Sequence, residues 1–516
     1  MAYFPTIAIG VPFFRAFDLI DPQASAFYDR VIADGGANAV VPTGLIGVSA
    51  TFKAVKAIYG VSDITQALSV FYDAHYLAYK KGTGIGATVG RAIEKLYSAC
   101  GASGDCIQTT LASQPLLLSH TGTNYAYLPR IGGNYFTTPN SVNNDLSGNS
   151  GAEFFISCNN LTLPNTLFAK DSGGATTRQI QFRINSNRLE LIVDHSSGTQ
   201  ITYQSTTTIP FSNLANFYCR YSRNQSTGII KFFTSSDGIT YTQLGNDIAG
   251  TTNVLSTPNR ILEIGSNSTG LSNLFGGQIF YGKIFKDDTF TTVTQFFNPN
   301  DYVAATSQST WTSSTGEVWT RNRDSATTGL KAAIVDYTML MTNGTSHAMQ
   351  AASFNFNTAA FTNYTTFAKF NNTILSMLSE LGVDADTASG YYHAINGAAN
   401  TETSSINGNI GNNSSVWTQN SLLLKQAIET GDTTLANPET RYYINNVLAS
   451  LNAAGGVSNN TGNMNGTALN LFARNNGASL FFNGSFRNLL LSKQSDDTTI
   501  RTNVYNLIRT NYNNAF

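Results

Sequence analysis

The stretches 262-LEIGSNSTGLSNLFGGQIFYGKIFK-286 and 469-LNLFARNNGASLFFNGSFRNLLLSK-493 align without a gap at an offset of 207 residues. Leu262 meets Leu469, Ile264 meets Leu471, Gly270 meets Gly477, Phe275 meets Phe482, Gly277 meets Gly484 and Lys286 meets Lys493. Apolar residues in each copy fall into two short runs separated by a Gly/Asn/Ser turn, the pattern of paired strands. Around the first copy lie further runs of alternating character: 179-QIQFRINS-186, 188-RLELIVDHS-196, 216-NFYCRYSR-223 and 229-IIKFFTSSDGITYTQLG-245. The last holds Asp237-Gly238 between two strand-like flanks, a strong hairpin signal. A weaker echo, 168-FAK-170 against 367-FAK-369, extends the duplication upstream. Many short strands at regular spacing predict a mainly β chain built from two sandwiches.

Composition agrees. Lys+Arg is 30 and Asp+Glu 31 in 516 residues, or 12% charged, about half of what soluble domains usually carry. Asn, Thr, Ser and Gly take that place, as in 398-AANTETSSINGNIGNNSS-415. A net charge of −1 provides no long-range field, which argues against a nucleic-acid partner. Aromatics at 11% argue against disorder. No run of about 18 uncharged apolar residues exists to insert in a membrane as a helix. The apolar start 2-AYFPTIAIGVPFF-14 lacks a basic leader and carries Pro5 and Pro12, so it reads as a strand or anchoring arm rather than a secretion signal.

The first 95 residues read as a largely helical N-terminal anchoring region. In 21-DPQASAFYDRVIADGG-36, Asp21 is the expected N-cap, Pro22 opens the first turn and the Gly pair stops the helix. Helices are also expected over 63–84, where Ile64, Leu68, Phe71 and Leu77 share a face, and over 88–101. The sandwiches then occupy 96–303 and 317–516, joined by a polar linker at 304–316, with altered loops in the second copy around 374–415. Cys100 and Cys106 bracket GASGD, which suits neither a metal half-site nor a redox motif. A local disulfide is one reading and free thiols the preferred one. Cys158 and Cys219 lie in strand-like runs and read as buried thiols.

The repeats resemble the concanavalin A-like (laminin G-like) jelly-roll family. The shared features are F-x-G-x-[I/F] at Phe275–Ile279 and Phe482–Phe486, and the hairpin 235-SSDGITY-241. Segment 96-LYSACGASGDCIQTTLASQPLLL-118 matches a domain-opening pattern LYD-x-SG…QT…QP, with Ser98 in place of the family's Asp. The whole chain is also similar to virion proteins of tailed bacteriophages, in which such domains follow a small docking region. Here 27-FYDRVIADGG-36 carries that resemblance. It implies a non-enzymatic fibre, tail or capsid-decoration protein, made in the host cytoplasm and located in the virion. Its implied partners are other virion proteins through the N-terminal region, its own copies in a homo-oligomer (a trimer fits), and a host surface glycan.

Candidate chemistry is sparse. A hydrolase on this fold needs E-x-D-x-x-E, which puts two carboxylates on one sheet face. The nearest residues, Glu190 and Asp194 in LELIVD and Glu263 in ILEIG, lack that spacing. No catalytic residue is assigned, and a glycan-degrading enzyme or a secreted lectin stands as the alternative. His75, His120, His195, His347 and His393 lack zinc spacing, so no metal site and no cofactor is expected. Asp194-His195 reads as a turn after a strand, and 82-GTGIGATVG-90 as a turn rather than a dinucleotide loop. Asp496-Asp497 could hold calcium but reads better as the cap of a helix starting at Thr498. Chance explains the N-x-[S/T] triplets at Asn160, Asn224, Asn267, Asn343 and Asn363. A sugar site needs exposed aromatics, and loop residues Tyr135, Tyr391, Tyr392 and Trp417 are the candidates, without a site assignment.

Overall fold

The computed structural model describes residues 20–73, 77–81, 92–118, 122–171, 178–195, 199–302, 309–324, 326, 329–336, 338–352, 354, 356–358, 360–369, 376–381, 391–396, 401–406, 409–413, 425–432, 439–452, 464–466, 468–474 and 478–511. Their strands form four large antiparallel sheets in two face-to-face pairs, each pair a concanavalin A-like jelly roll. One sandwich runs from Tyr125–Pro129 to Ala333–Val335, with a core that includes Phe154, Phe168, Phe182, Leu191, Tyr221, Phe232 and Trp319. The other is assembled from both sides of it in sequence, from strands between Ala39 and Leu118 and between Met339 and Ser492. The first is therefore an insertion inside the second.

The repeat is real in hydrogen-bonding detail. Gly276–Phe285 lies between Ser150–Cys158 and Tyr125–Pro129, with Ile279 opposite Ala126. At the same offset, Gly484–Ser492 lies between Ala360–Lys369 and Met339–Met341, with Phe486 opposite Leu340. The turns agree as well: bridges Asn267–Ser272 and Arg474–Ser479 are equivalent, and each copy closes with a 2.8 Å bond, Phe275 N–H to the Gly265 carbonyl and Phe482 N–H to the Phe472 carbonyl. Gly265 and Phe472 both sit at positive φ, 86° and 68°. At Gly265 a Cβ would fall 2.3 Å from Leu128, so only glycine fits there.

Strand pairing divides the chain elsewhere than at 95/96 and 304–316. Val293–Phe297 flanks Gly276–Phe285 in the inserted copy, and its counterpart flanking Gly484–Ser492 is Leu68–Asp73, more than 400 residues away in sequence. Thr310–Thr312, in the expected linker, pairs with Val318–Asn322, and both extend the inserted sandwich. Their counterparts, Ile93–Tyr97 and Cys106–Ile107, extend the enclosing one. Relative to each other the copies are circularly permuted, which is why a linear repeat search misplaces their ends. The FAK echo is not part of the repeat. Phe168 lies in Asn165–Lys170 of one sheet, whereas Phe367 lies in the equivalent of Ser150–Cys158 in the opposite sheet. The region 374–415 is not only loop: Ser376–Leu381, Tyr391–Asn396, Thr401–Ile406 and Asn409–Asn413 run side by side in the ten-stranded sheet.

Helix α1 (Pro22–Gly35) begins as expected, with the Asp21 carboxylate accepting from the N–H groups of Gln23 and Ala24. Helix α2 (Gly44–Tyr59) has no such signature and went unread. The helix expected over 63–84 is one turn, α3 (Ile64–Ala67), followed by strands Leu68–Asp73 and Ala78–Lys81. Strand Ile93–Tyr97 replaces that expected over 88–101. In Leu68–Asp73 both faces are covered, Val70 and Tyr72 by the sandwich core and Leu68 and Phe71 by the helices, so an apolar run mimicked a helical stripe. Helices α1, α2, α3 and α4 (Thr498–Asn511) cover one face of the enclosing sandwich through Phe27, Phe52, Val55, Ile64, Val504 and Ile508, against Tyr364, Tyr443 and Leu490. The helical region is thus integral to a sandwich.

Two strand pairs cross between the sandwiches. Leu116–Leu118 pairs with Met339–Met341, and seven residues further on Tyr125–Pro129 pairs with Ala333–Val335. Leu116, Leu118, Met339 and Met341 meet Tyr125, Tyr127, Phe280 and Val335 in a separate small core at the crossing. Beside it, Arg487 Nη2 donates to Asp336 Oδ1 at 2.6 Å, with both side chains nearly buried.

This topology makes opposite predictions for two truncations. Removing residues 1–95 deletes strands Leu68–Asp73 and Ala78–Lys81, so the enclosing sandwich should lose its cooperative unfolding transition in calorimetry. A fragment of residues 122–336 carries every strand of the inserted sandwich and should unfold in one cooperative step.

Candidate binding face

In a strand, alternate side chains face opposite sides of the sheet. Along 152-AEFFISC-158, Ala152, Phe154, Ile156 and Cys158 enter the core, leaving Glu153 and Phe155 on the outer face. The neighbouring strands follow suit. Asn216–Arg223 turns Phe217, Cys219 and Tyr221 inward and leaves Tyr218 and Arg220 outside, while Gly276–Phe285 leaves Tyr281 and Lys283 outside. Register brings these together, with Glu153 opposite both Arg220 and Lys283, and Phe155 opposite both Tyr218 and Tyr281.

The outer face has an aromatic row and a charged hub. Phe155 stacks on Tyr218 at 4.2 Å and 8° and on Phe280 at 4.4 Å and 27°, a ladder across three strands. Glu153 is the hub. Its Oε1 accepts from the Tyr281 hydroxyl at 2.6 Å and meets Lys283 Nζ at 3.4 Å, while its Oε2 accepts from the Tyr241 hydroxyl at 3.0 Å and from the Arg220 guanidinium. Arg220 is clasped between rings, 3.4 Å above Tyr241 and 4.7 Å from Phe290. Lys283 Nζ lies 4.9 Å from the Tyr281 ring and 5.7 Å from that of Phe296. Burial alone would raise the Glu153 pKa, but the Tyr281 hydroxyl and the Arg220 guanidinium outweigh it and hold the carboxyl below its ordinary value of 4.5. Burial and this carboxylate push the Tyr241 and Tyr281 hydroxyls up, so both remain donors.

The hairpin at the edge of the face forms as read. Ile229–Ser235 pairs with Thr242–Gln243, and Asp237 Oδ1 accepts from the N–H groups of Ile239 and Thr240. Gly238, at φ 72°, lies under the Tyr218 ring, which a Cβ would meet at 2.7 Å. This turn brings Tyr241 back over Arg220.

The duplication shows what is particular to this face. At the equivalent positions of the enclosing sandwich, Glu153, Lys283 and Phe233 become Tyr364, Leu490 and Tyr443. Those three are buried beneath the helices. In the inserted copy the same face carries half-exposed aromatic and cationic side chains instead.

The carboxylates weighed for catalysis have other occupations. Glu190 binds Arg183 at 2.7 Å, Gln204 at 2.7 Å and Asn185 at 3.1 Å. Glu263 accepts from the Ser266 hydroxyl and from the N–H groups of Thr269 and Gly270, fixing the turn between repeat strands. Asp194 is buried, 3.9 Å from Arg178, and burial raises its pKa. His195 meets Asn253 at 3.1 Å, and burial lowers the His347 pKa to about 4. His75 and His120 lie outside the described residues, as does the glycine stretch 82–90. Among the described residues no group of three or more His, Cys, Asp or Glu could hold a metal ion. Asp497 caps α4 through Thr499 and Ile500, whereas Asp496 is buried and accepts from the Tyr59 and Tyr364 hydroxyls. The four cysteines are thiols rather than disulfides, and burial pushes the Cys100 and Cys106 thiols up to about 12.

Of the sugar-site candidates, Tyr135 lies in the opposite sheet, half-buried, with its ring in the space a Gly270 Cβ would take. Tyr391 and Tyr392 lie in the enclosing sandwich, and Trp417 is outside the described residues. The usable signal lay in the strands, where NFYCRYSR and GGQIFYGKIF place Tyr, Arg and Lys at outward positions that Ser or Thr would ordinarily fill.

No protein-family model matches the chain, and no curated protein matches it. Among solved structures, domains LG4-5 of the mouse laminin alpha1 chain align over 74% of this chain and 92% of theirs, at 9% identity and a TM-score of 0.28. The CBM40 of a Ruminococcus gnavus IT-sialidase, bound to alpha2,3 sialyllactose, aligns over 34% and 92%, at 10% and 0.25. A heptameric SAP-like pentraxin from Limulus polyphemus aligns over 32% and 77%, at 10% and 0.24. Similarities of this size transfer no activity to this chain.

The hub predicts a pH signature. Because the folded pKa of Glu153 is depressed, its contribution is fully present above about pH 4.5 and is lost as pH falls through the folded value. Glu153→Gln should destabilise the inserted sandwich by about 3 kcal/mol at pH 7, and the gap should narrow in thermal melts taken below pH 4.

Proposed function

We infer that the chain is a non-enzymatic glycan-binding protein whose site is the outer face of the inserted sandwich. The observation that carries this reading is the Tyr218–Phe155 ladder beside the Glu153 hub. The half-exposed ring edges of that row offer apolar contact to a sugar's C–H groups, and the fixed hydroxyl and N–H groups beside them suit sugar hydroxyls. The helix-covered face of the enclosing copy, where apolar residues stand at the same positions, supports the view that the open face is maintained for a ligand. The structural engagement of Glu190 and Glu263 supports a binding rather than a hydrolytic role.

The setting proposed is the virion of a tailed phage, as a fibre, tail or decoration protein in a homo-oligomer, with the helical side towards other virion proteins and the sandwiches towards host glycans. The sequence resemblance and the low-charge, Asn/Thr-rich composition support this setting.

The glycan role is tested by screening the full chain on immobilised polysaccharides. Tyr218→Ala should lower affinity about ten-fold, the worth of one aromatic contact, without changing the melting curve by more than a few degrees. Release of reducing ends from a bound polysaccharide would instead identify a depolymerase. Quantitative mass spectrometry of purified particles tests the setting: the intact chain should appear at a fixed multi-copy ratio to the capsid protein.

A further inference from the structure

We propose that the face selects glycans carrying a carboxylate, through Lys283 with Arg220; this rests on the glycan-binding reading and narrows it. The strands of the face contribute three cations, Arg220, Lys231 and Lys283, and one carboxylate, Glu153. Two of the cations are balanced. Lys231 pairs with Asp247 at 3.4 Å, and Arg220 is bound to Glu153. Asp237, whose charge also reaches Tyr218, is committed to the hairpin turn by three donors, the Ser235 hydroxyl and the N–H groups of Ile239 and Thr240.

Lys283 is the remainder. Its contact with Glu153 is the longest in the hub, at 3.4 Å, and Glu153 already accepts from Arg220, Tyr241 and Tyr281. One carboxylate thus answers two cations, which leaves the hub one positive charge in excess, and the Lys283 contact is the longest of its four. The Lys283 ammonium carries three N–H donors and is about one-third exposed, over the Tyr281 and Phe296 rings. A sugar lying along the exposed ring edges beside it would bring a ring carboxylate within reach of a charge-assisted bond, with the Arg220 edge adding a second donor. A neutral sugar would use the row but leave the surplus cation unanswered.

The test uses an array of carboxylated glycans, each printed beside its carboxyl-reduced counterpart, which keeps the backbone and replaces the charge with a hydroxyl. The full chain, Lys283→Met, Lys283→Arg and Tyr218→Ala are compared at low and physiological salt. The expected result is at least ten-fold stronger binding to a carboxylated member than to its reduced partner, abolished by Lys283→Met, largely kept by Lys283→Arg and weakened by Tyr218→Ala. Equal binding to both members of every pair, lost in Tyr218→Ala, overturns the carboxylate inference and leaves the glycan reading standing. Binding that Lys283→Met leaves intact, and that extends to dextran sulfate in proportion to charge, overturns it as general polyelectrolyte attraction. Binding to no glycan of either kind overturns both readings, and melting curves of the variants show whether each remains folded.

Discussion

The architecture depends on the antiparallel ribbon that passes between the sandwiches. In a jelly roll standing alone, Leu116–Leu118 and Met339–Met341 would be joined by a short hairpin loop. Here the loop is replaced by a second jelly roll whose first and last strands, Tyr125–Pro129 and Ala333–Val335, are themselves hydrogen-bonded neighbours. An insertion is tolerated when its ends lie as close as the ends it replaces, and two adjacent strands meet that condition. The junction is also packed: Met339, Met341, Leu116 and Leu118 bury the outward rings of Tyr125 and Phe280, and the Arg487–Asp336 pair lies alongside.

That arrangement accounts for the different fates of two equivalent faces. Helices α1 and α2 precede, and α4 follows, the main strands of the enclosing sandwich, and they pack on its outer face, where Tyr364, Tyr443 and Leu490 supply an apolar floor. Among the described residues no α-helix lies between Tyr125 and Val335. The corresponding face of the inserted sandwich must be soluble without a cover, and the Glu153 hub does this by binding two cations and two tyrosine hydroxyls in one network. Such a network holds the rings and charged groups in fixed positions.

Much of the fold was legible in local residues. The 207-residue repeat, the Asp237-Gly238 hairpin, the Asp21 cap and the Asp497 cap all form as their sequences predict. Each depends on groups a few residues apart, or on an identical motif occurring twice. The Glu153 face was not legible, because Glu153, Arg220 and Lys283 are up to 130 residues apart in sequence and are united only by register. In a strand pattern an outward Tyr looks the same whether it meets solvent, a helix or a ligand.

By itself the sequence determined a duplicated, mainly β chain with weak charge and capped helices, since alternation, turn chemistry and capping act over a few residues. Only the tertiary structure decided which strands belong to which copy. Pairing energy does not depend on chain order, so Leu68–Asp73 can complete a sheet begun by Gly484–Ser492. The same holds for the two faces: burial of Leu490 and partial exposure of its counterpart Lys283 follow from where the helices pack, a contact that no local pattern encodes.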